Sequence, residues 1–117
     1  MKTILYVEDN IDTAEAVKII LTRAGFKVDI ALTGYDALSK VVQARYDLVL
    51  LDVMLPDMSG WDIYMKLKPN YQARFAFISA IPVSHERMTQ LKKEGVVDYI
   101  LKPFLKEDLI SRIKKIL

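Results

Sequence analysis

The sequence predicts an α/β fold: a three-layer α/β/α sandwich in which helices cover both faces of a five-stranded parallel sheet. Several short runs, of which 48–51 is the clearest, are continuously apolar instead of alternating with polar residues. This pattern is typical of strands buried on both faces. Segments with apolar residues at helical spacing separate these runs. Strands that alternate with helices favour a parallel sheet with right-handed crossovers.

The first two strand-helix units follow directly from this pattern. Thr3–Val7 is the first predicted strand, and the helix after it continues to Gly25, which supplies a C-terminal stop. The second predicted strand covers 26–31. Thr33 and Asp36 then stand at the spacing of a capping box, which predicts the start of the second helix.

Three further units fill the rest of the chain. The third strand covers 47–52, and Ser59 with Asp62 caps a third helix that ends before Pro69. Strands are also predicted at 74–79 and 97–101, with helices at 84–94, ended by Gly95, and at 105–117. Because the repeats leave no linker, we expect a single domain over 1–117.

Composition excludes several classes of function. The chain has 117 residues, no cysteine and a formal net charge of +2. The absence of cysteine excludes disulfides, thiolate metal sites and a cysteine nucleophile. The small charge argues against direct nucleic-acid binding, which needs a clustered basic face. No signal peptide or membrane span is predicted, so we expect a cytoplasmic protein without membrane contact.

Chemically useful residues follow four of the predicted strands. Glu8 and Asp9 follow the first strand, Asp52 the third, Ser79 the fourth and Lys102 the fifth. Taken alone, Asp52 is better explained as the cap of a loop than as a functional residue. In a parallel sheet, however, all these strand ends lie at one edge, where α/β folds bind their ligands. We therefore expect the residues to form one site.

The predicted site combines three carboxylates, a hydroxyl and an ammonium group. Carboxylates about 4 Å apart repel by several kcal/mol at intermediate dielectric, and a divalent cation removes that repulsion. Hard oxygen ligands suit Mg²⁺ better than Ca²⁺ or Zn²⁺, and Mn²⁺ could substitute. Asp52 can then act as a nucleophile towards phosphorus. Lys102 and Ser79 would hold the phosphoryl oxygens.

These motifs together resemble the response-regulator receiver domain of two-component signalling. The resemblance covers essentially the whole chain and rests on the segments Glu8-Asp9, Asp52-Val53-Met54-Leu55-Pro56-Asp57-Met58-Ser59-Gly60, Ser79-Ala80 and Asp98-Tyr99-Ile100-Leu101-Lys102-Pro103-Phe104. It implies a flavodoxin-like (βα)5 fold with strand order 2-1-3-4-5.

The resemblance also implies a ligand set and a phosphodonor. Asp52 would accept a phosphoryl group from a histidine kinase, a phosphotransfer protein or a small phosphodonor. Asp9 and Asp52 would bind Mg²⁺ directly, Glu8 through water, and Met54 through its backbone carbonyl. The expected function is a phosphorylation-dependent signalling switch and not a turnover enzyme.

The same resemblance makes Ser79 and Tyr99 the switch residues, with Tyr99 turning inward when Ser79 moves. By position alone, Tyr99 is equally well explained as a half-buried aromatic on an edge strand. The output would pass through the face formed by the fourth helix, fifth strand and fifth helix to an unknown downstream protein, or to a phosphorylation-linked homodimer. The Lys102-Pro103 bond is expected to be cis, a form that proline makes accessible.

Three features of the sequence depart from the family pattern or stand outside it. The segment between Asp52 and Ser79 is short, around Asn70 and Tyr71, away from the chemistry. Ile81-Pro82 lies in the switch loop, where proline restricts the backbone. His85, the only histidine, is expected to be exposed and not to act in a phosphorelay.

Two alternatives remain at this stage. One is a receiver-like module that binds proteins without phosphorylation. The other is an enzyme, but a phosphatase normally needs a second acid where this chain has Met54. A flavin carrier would need a loop rich in glycine and hydroxyls where Glu8 and Asp9 would repel the flavin phosphate.

Overall fold

The computed structural model describes residues 1–117, in which every strand is followed by a helix. The elements are β1 (Thr3–Val7), α1 (Ile11–Arg23), β2 (Lys27–Ala31), α2 (Gly34–Gln43), β3 (Leu48–Leu51), α3 (Gly60–Leu67), β4 (Arg74–Ser79), α4 (His85–Glu94), β5 (Val96–Leu101) and α5 (Lys106–Ile116). The predicted sequence of five strand-helix units is therefore confirmed. None of these helices has the length and apolar character required to cross a bilayer.

The strands form one parallel sheet in the order β2-β1-β3-β4-β5. Val7 pairs with Ala31 on one side and with Leu51 on the other, and Leu51 pairs in turn with Phe77. The carboxyl ends of β1, β3 and β4 therefore lie close together at one edge. Both the fold class and the strand order agree with the predictions.

The core has two layers, one on each face of the sheet. Buried residues of α1 and α5 pack on one face, and buried residues of α2, α3 and α4 pack on the other. Along β3 the side chains alternate between the layers, so that Leu48 and Leu50 enter one and Val49 and Leu51 the other. All four are completely buried, which explains why this strand is apolar at every position.

The helix boundaries follow the local signals in the sequence. Ser59 and Asp62 form a complete capping box at the start of α3. At α2 only half of the predicted box forms: the Thr33 side chain accepts from the Asp36 backbone N–H, but the Asp36 side chain does not accept from the Thr33 backbone N–H. Gly95 ends α4 in the left-handed conformation with φ 110°, which glycine adopts without steric strain.

Three strands, β2, β3 and β5, begin one residue away from their predicted starts. Phe26 lies outside β2 because its backbone N–H donates to the Leu21 carbonyl, at 3.1 Å, and closes the turn after α1. β5 begins earlier than predicted, since Val96 already pairs with Phe75. A register shift follows and places Asp98 opposite Ala76.

Tyr71 stabilises the short connection between α3 and β4. Its hydroxyl accepts from the Tyr46 backbone N–H at 2.9 Å and donates to the Ala44 carbonyl at 3.0 Å. Both partners lie in the loop between α2 and β3. The two loops are thus joined at the edge of the sheet opposite to the carboxyl ends of the strands.

Candidate functional site

Three carboxylates meet at the carboxyl edge of the sheet, immediately after β1 and β3. Oxygen atoms of Glu8, Asp9 and Asp52 all lie within 4.8 Å of one another. Glu8 retains 2% of its exposure and Asp52 7%, whereas Asp9 is exposed. Backbone bonds from Glu8 to Ala31 and from Asp52 to Val7 continue the sheet pairing up to these residues. The sheet itself therefore holds two of the three carboxylates in place.

Lys102, from the loop after β5, is the cation of this cluster. Its Nζ donates to Asp52 Oδ2 at 2.8 Å and also to Glu8 Oε1. Burial lowers the pKa of Lys102, but the hydrogen bonds and charges of Asp52 and Glu8 outweigh that effect, so the pKa is raised overall. Lys102 is therefore fully charged at neutral pH.

The donor set fits a small divalent cation. One lysine set against three carboxylates leaves a formal charge of about −2. All the side-chain donors are hard oxygens, and exposed Asp9 leaves one side of the cluster accessible to water. Mg²⁺ prefers this combination of few carboxylates with retained water. The cluster could thus hold such a metal.

The Tyr6 hydroxyl is a member of the site that the sequence analysis missed. It donates to Glu8 Oε1 at 3.1 Å, while the Asn10 backbone N–H donates to Glu8 Oε2 at 3.1 Å. Burial, and then the neighbouring Glu8 charge, raises the pKa of Tyr6. The signal was present in the sequence: residues two apart on a strand share a face, and a buried tyrosine hydroxyl needs a partner.

The loop after β3 is attached to both the site and α2. The Met54 backbone N–H donates to Asp52 Oδ1 at 3.2 Å, while Met54 as a whole is 67% exposed. Farther along the loop, the Asp57 carboxylate accepts from the backbone N–H groups of Gly34 and Tyr35 at 2.8 and 2.9 Å. Asp57 thereby caps α2 from outside that helix, a link that local sequence patterns did not predict.

Ser79 lies at the predicted strand end, but its hydroxyl bonds to the loop that follows β4 and not to the carboxylate cluster. It is 1% exposed, and its Oγ accepts from the Ile81 backbone N–H at 3.2 Å. The structure shows no hydrogen bond from its hydroxyl to Asp52 or to the Lys102 ammonium group. Its backbone carbonyl, however, accepts from the Lys102 backbone N–H at 2.9 Å. Ser79 is thus adjacent to the cluster without being bonded to its charged groups.

Tyr99 points inward in this structure. It is 2% exposed, which excludes the half-buried arrangement, and its hydroxyl donates to the Ile81 carbonyl. Burial is the main reason that the pKa of Tyr99 is raised. The Lys102-Pro103 bond is cis and His85 is exposed, and both observations confirm the predictions.

Trp61, on α3, lies between Tyr99 of β5 and Arg87 of α4. Its ring centroid lies 4.1 Å from that of Phe77 and 6.3 Å from that of Tyr99. The Arg87 guanidinium of α4 lies 5.4 Å from the centre of the indole ring, within the range of a cation–π contact. Trp61 therefore contacts residues of both β5 and α4.

Comparison with known proteins agrees with this geometry. The family model described as response regulator receiver domain matches residues 4–114. The probable transcriptional regulatory protein SilR of Salmonella typhimurium is 39% identical over 115 residues, covering 97% of this chain and 50% of that protein. The response regulator ArlR of Staphylococcus aureus is 36% identical over 117 residues, covering 100% of this chain and 53% of that protein. The chain thus spans about half the length of these curated relatives.

Solved structures show the same fold. The response regulator protein TrrA from Thermotoga maritima, in complex with Mg²⁺-BeF, aligns with TM-score 0.84 and 30% identity over 100% of both chains. The chemotaxis response regulator CheY4 of Vibrio cholerae aligns with TM-score 0.89 and 28% identity, covering 100% of this chain and 99% of the other. The chain belongs to the receiver domains of two-component response regulators, which are signalling switches and not turnover enzymes.

Proposed function

We propose that this chain is a phosphorylation-dependent switch in which Asp52 accepts a phosphoryl group from a histidine kinase or phosphotransfer protein. The observation that carries the proposal is the position of the Asp52 carboxylate, 2.8 Å from the Lys102 ammonium group and within 4.8 Å of oxygens of Glu8 and Asp9. A lone acid that only capped a loop would not need a partly buried cation and two further carboxylates.

The chemistry requires one bond to form and one to break. A carboxylate oxygen of Asp52 attacks phosphorus, and the P–N bond of the donor phosphohistidine breaks with its electron pair remaining on the imidazole nitrogen. Lys102 would move from the carboxylates towards the phosphoryl oxygens, and Ser79 would donate its hydroxyl to them. Such transfers depend mainly on positioning and charge neutralisation.

Asp9 and Asp52 would bind Mg²⁺ or Mn²⁺ directly, with Glu8 acting through water and Met54 through its backbone carbonyl. The bound cation would neutralise charge on the carboxylates and on the incoming phosphoryl oxygens. Support comes from the fit of the donor set and from a relative whose structure contains Mg²⁺-BeF.

The output would depend on the loop between β4 and α4. The Tyr99 hydroxyl and the Ser79 hydroxyl both bond to Ile81 in that loop, so a movement of Ser79 towards a phosphoryl group would disturb the Tyr99 contact. The part of the chain that would change between the unphosphorylated and phosphorylated states is therefore the loop between β4 and α4 together with α4. The face formed by α4, β5 and α5 would present the change to a downstream protein or to a second copy of the chain.

Residues 1–117 would act as one receiver unit, in the cytoplasm where response regulators typically operate.

Incubation with acetyl phosphate and Mg²⁺, followed by intact mass measurement, tests the central step. The wild-type chain should gain one phosphoryl group, and Asp52→Asn should gain none. Equal labelling of both would overturn the proposal. An unlabelled wild type that still binds a response-regulator partner would instead support the phosphorylation-independent module.

A further inference from the structure

Tyr6 is the only aromatic residue of β1, and it is completely buried between aliphatic neighbours. Its hydroxyl donates to Glu8 Oε1 at 3.1 Å. Packing alone does not require this hydroxyl, since the other interior residues of the strand are Ile4, Leu5 and Val7. The one hydrogen-bond partner of the hydroxyl is therefore a carboxylate of the functional site.

The carboxylate of Glu8 is held at both of its oxygens. Oε1 accepts from Tyr6 and from Lys102, and Oε2 accepts from the Asn10 backbone N–H at 3.1 Å. Because Glu8 is only 2% exposed, solvent cannot readily replace a lost donor. These bonds together fix the plane of the carboxylate.

The two side-chain donors to Oε1 differ in one respect. Lys102 also donates to Asp52, and in the proposed reaction it would turn towards the phosphoryl group. Tyr6 donates to no second acceptor, and it lies on β1, an interior strand of the sheet. Tyr6 is therefore the donor that can hold Glu8 in place throughout the reaction.

We propose that Tyr6 is a positioning residue for the metal site, acting through Glu8. The inference rests on the proposed function, in which Glu8 supports the bound cation. Hydrogen-bond partners of metal-site ligands typically change metal affinity about 10–100-fold when they are removed. Glu8 acts through water in the proposed site, so we expect the lower end, about a tenfold loss of Mg²⁺ affinity in Tyr6→Phe.

The chain contains a matched control. The Tyr46 hydroxyl donates to Asp29 Oδ2 at 2.7 Å, so Tyr46→Phe removes the same kind of bond from a tyrosine that is 6% exposed. Asp29 lies on β2 and is not a member of the carboxylate cluster. Both variants should unfold at lower urea concentration than the wild type, but only Tyr6→Phe should lose Mg²⁺ affinity.

Calorimetric titration of the full chain with Mg²⁺, without phosphodonor, measures the effect. Tyr6→Phe should bind about tenfold more weakly than the wild type and than Tyr46→Phe. In a Glu8→Gln background, where the charge that Tyr6 orients is gone, the same substitution should change affinity less than about twofold. Tyr6→Leu, which also suits a buried strand, provides a second way to remove the hydroxyl.

The outcomes separate this inference from the proposed function. Wild-type affinity in both Tyr6→Phe and Tyr6→Leu, with normal Mg²⁺ binding by the wild type, would overturn the role of Tyr6 alone. An equal loss in the presence and absence of the Glu8 charge would also overturn it. A wild-type chain that bound no Mg²⁺ would overturn the metal site and this inference with it.

Discussion

Gly60, the first residue of α3, lies directly against the backbone carbonyl of Asp52. A Cβ added to Gly60 would stand 2.1 Å from that oxygen and 3.2 Å from the Phe77 ring. The Gly60 backbone N–H also donates to the Val53 carbonyl at 2.8 Å. The start of α3 is therefore closely packed against the residue that we propose is phosphorylated, and only glycine fits there.

We expect Gly60→Ala to lower the free energy of unfolding by about 1–3 kcal/mol, the usual cost of overpacking. It should also slow phosphoryl transfer, because the clash is with the Asp52 backbone. Urea unfolding and the acetyl phosphate assay measure the two effects. Gly25→Ala is the control: its φ of 103° strains alanine, but a Cβ there meets nothing within 4 Å. An unaffected labelling rate in Gly60→Ala would contradict the prediction.

Lys102→Met should destabilise the chain in the absence of Mg²⁺, because Glu8 and Asp52 lose their shared cation. We expect a loss of about 2 kcal/mol, below the roughly 3–5 kcal/mol of a fully buried pair, since the Lys102 side chain retains 21% exposure. Mg²⁺ affinity should rise because the competing ammonium group is gone. Weaker Mg²⁺ binding by the variant would show that Lys102 does not compete with the metal.

The control for that experiment is Lys40→Met. Lys40 pairs with Asp36 one helical turn away, at 3.1 Å. Both side chains are more than one third exposed. Removal of such a pair costs about 0.3–0.5 kcal/mol. Urea unfolding with and without Mg²⁺ should therefore show a large metal-dependent difference at Lys102 and almost none at Lys40.

Trp61 fluorescence should change when Mg²⁺ or a phosphate mimic such as beryllofluoride binds. The signal has one source because the chain contains a single tryptophan. Trp61 follows Gly60, which contacts Asp52, and its ring stacks on Tyr99 at 6.3 Å. In a Tyr99→Leu variant that still binds Mg²⁺, the change in Trp61 fluorescence on binding should differ from that of the wild type. An unaltered spectrum despite binding confirmed by calorimetry would refute the predicted coupling.

Asp47, at the opposite end of β3, should contribute to stability in a pH-dependent way. Its carboxylate accepts from the Thr3 backbone N–H at 2.8 Å and from the Thr3 hydroxyl at 3.1 Å. The bond from the Thr3 backbone is the largest of the effects that hold the pKa of Asp47 below its ordinary value. A lowered folded-state pKa means stabilisation that is complete above the unfolded-state pKa of about 3.9 and disappears as the pH falls through the folded-state pKa.

The corresponding experiment compares the wild type with Asp47→Asn in urea at several pH values. The difference in unfolding free energy should be largest near neutral pH and should shrink below about pH 4, where the wild-type carboxylate becomes protonated. Other carboxyl groups titrate in both proteins and cancel in the comparison. A difference that did not vary with pH would mean that the charge of Asp47 contributes nothing.

Local and periodic features of the chain were predictable because their causes are local. The capping box of Ser59 and Asp62, the stop at Gly95 and the apolar run of β3 each depend on residues close together in the sequence. The grouping of Glu8, Asp9 and Asp52 was also predictable, since parallel strands end at one edge. Each of these needs only secondary structure and strand direction.

Only the tertiary structure decided which atoms of the site meet. The contacts of Lys102 with Glu8 and Asp52 span 94 and 50 residues, and those of Asp57 with α2 span more than 20. Such contacts depend on how loops from different strands pack, which no local pattern encodes. Tyr6 shows both contributions: the sequence determined that its side chain lies on the same strand face as Glu8, but only the packing around Glu8 decided that the hydroxyl bonds to Oε1.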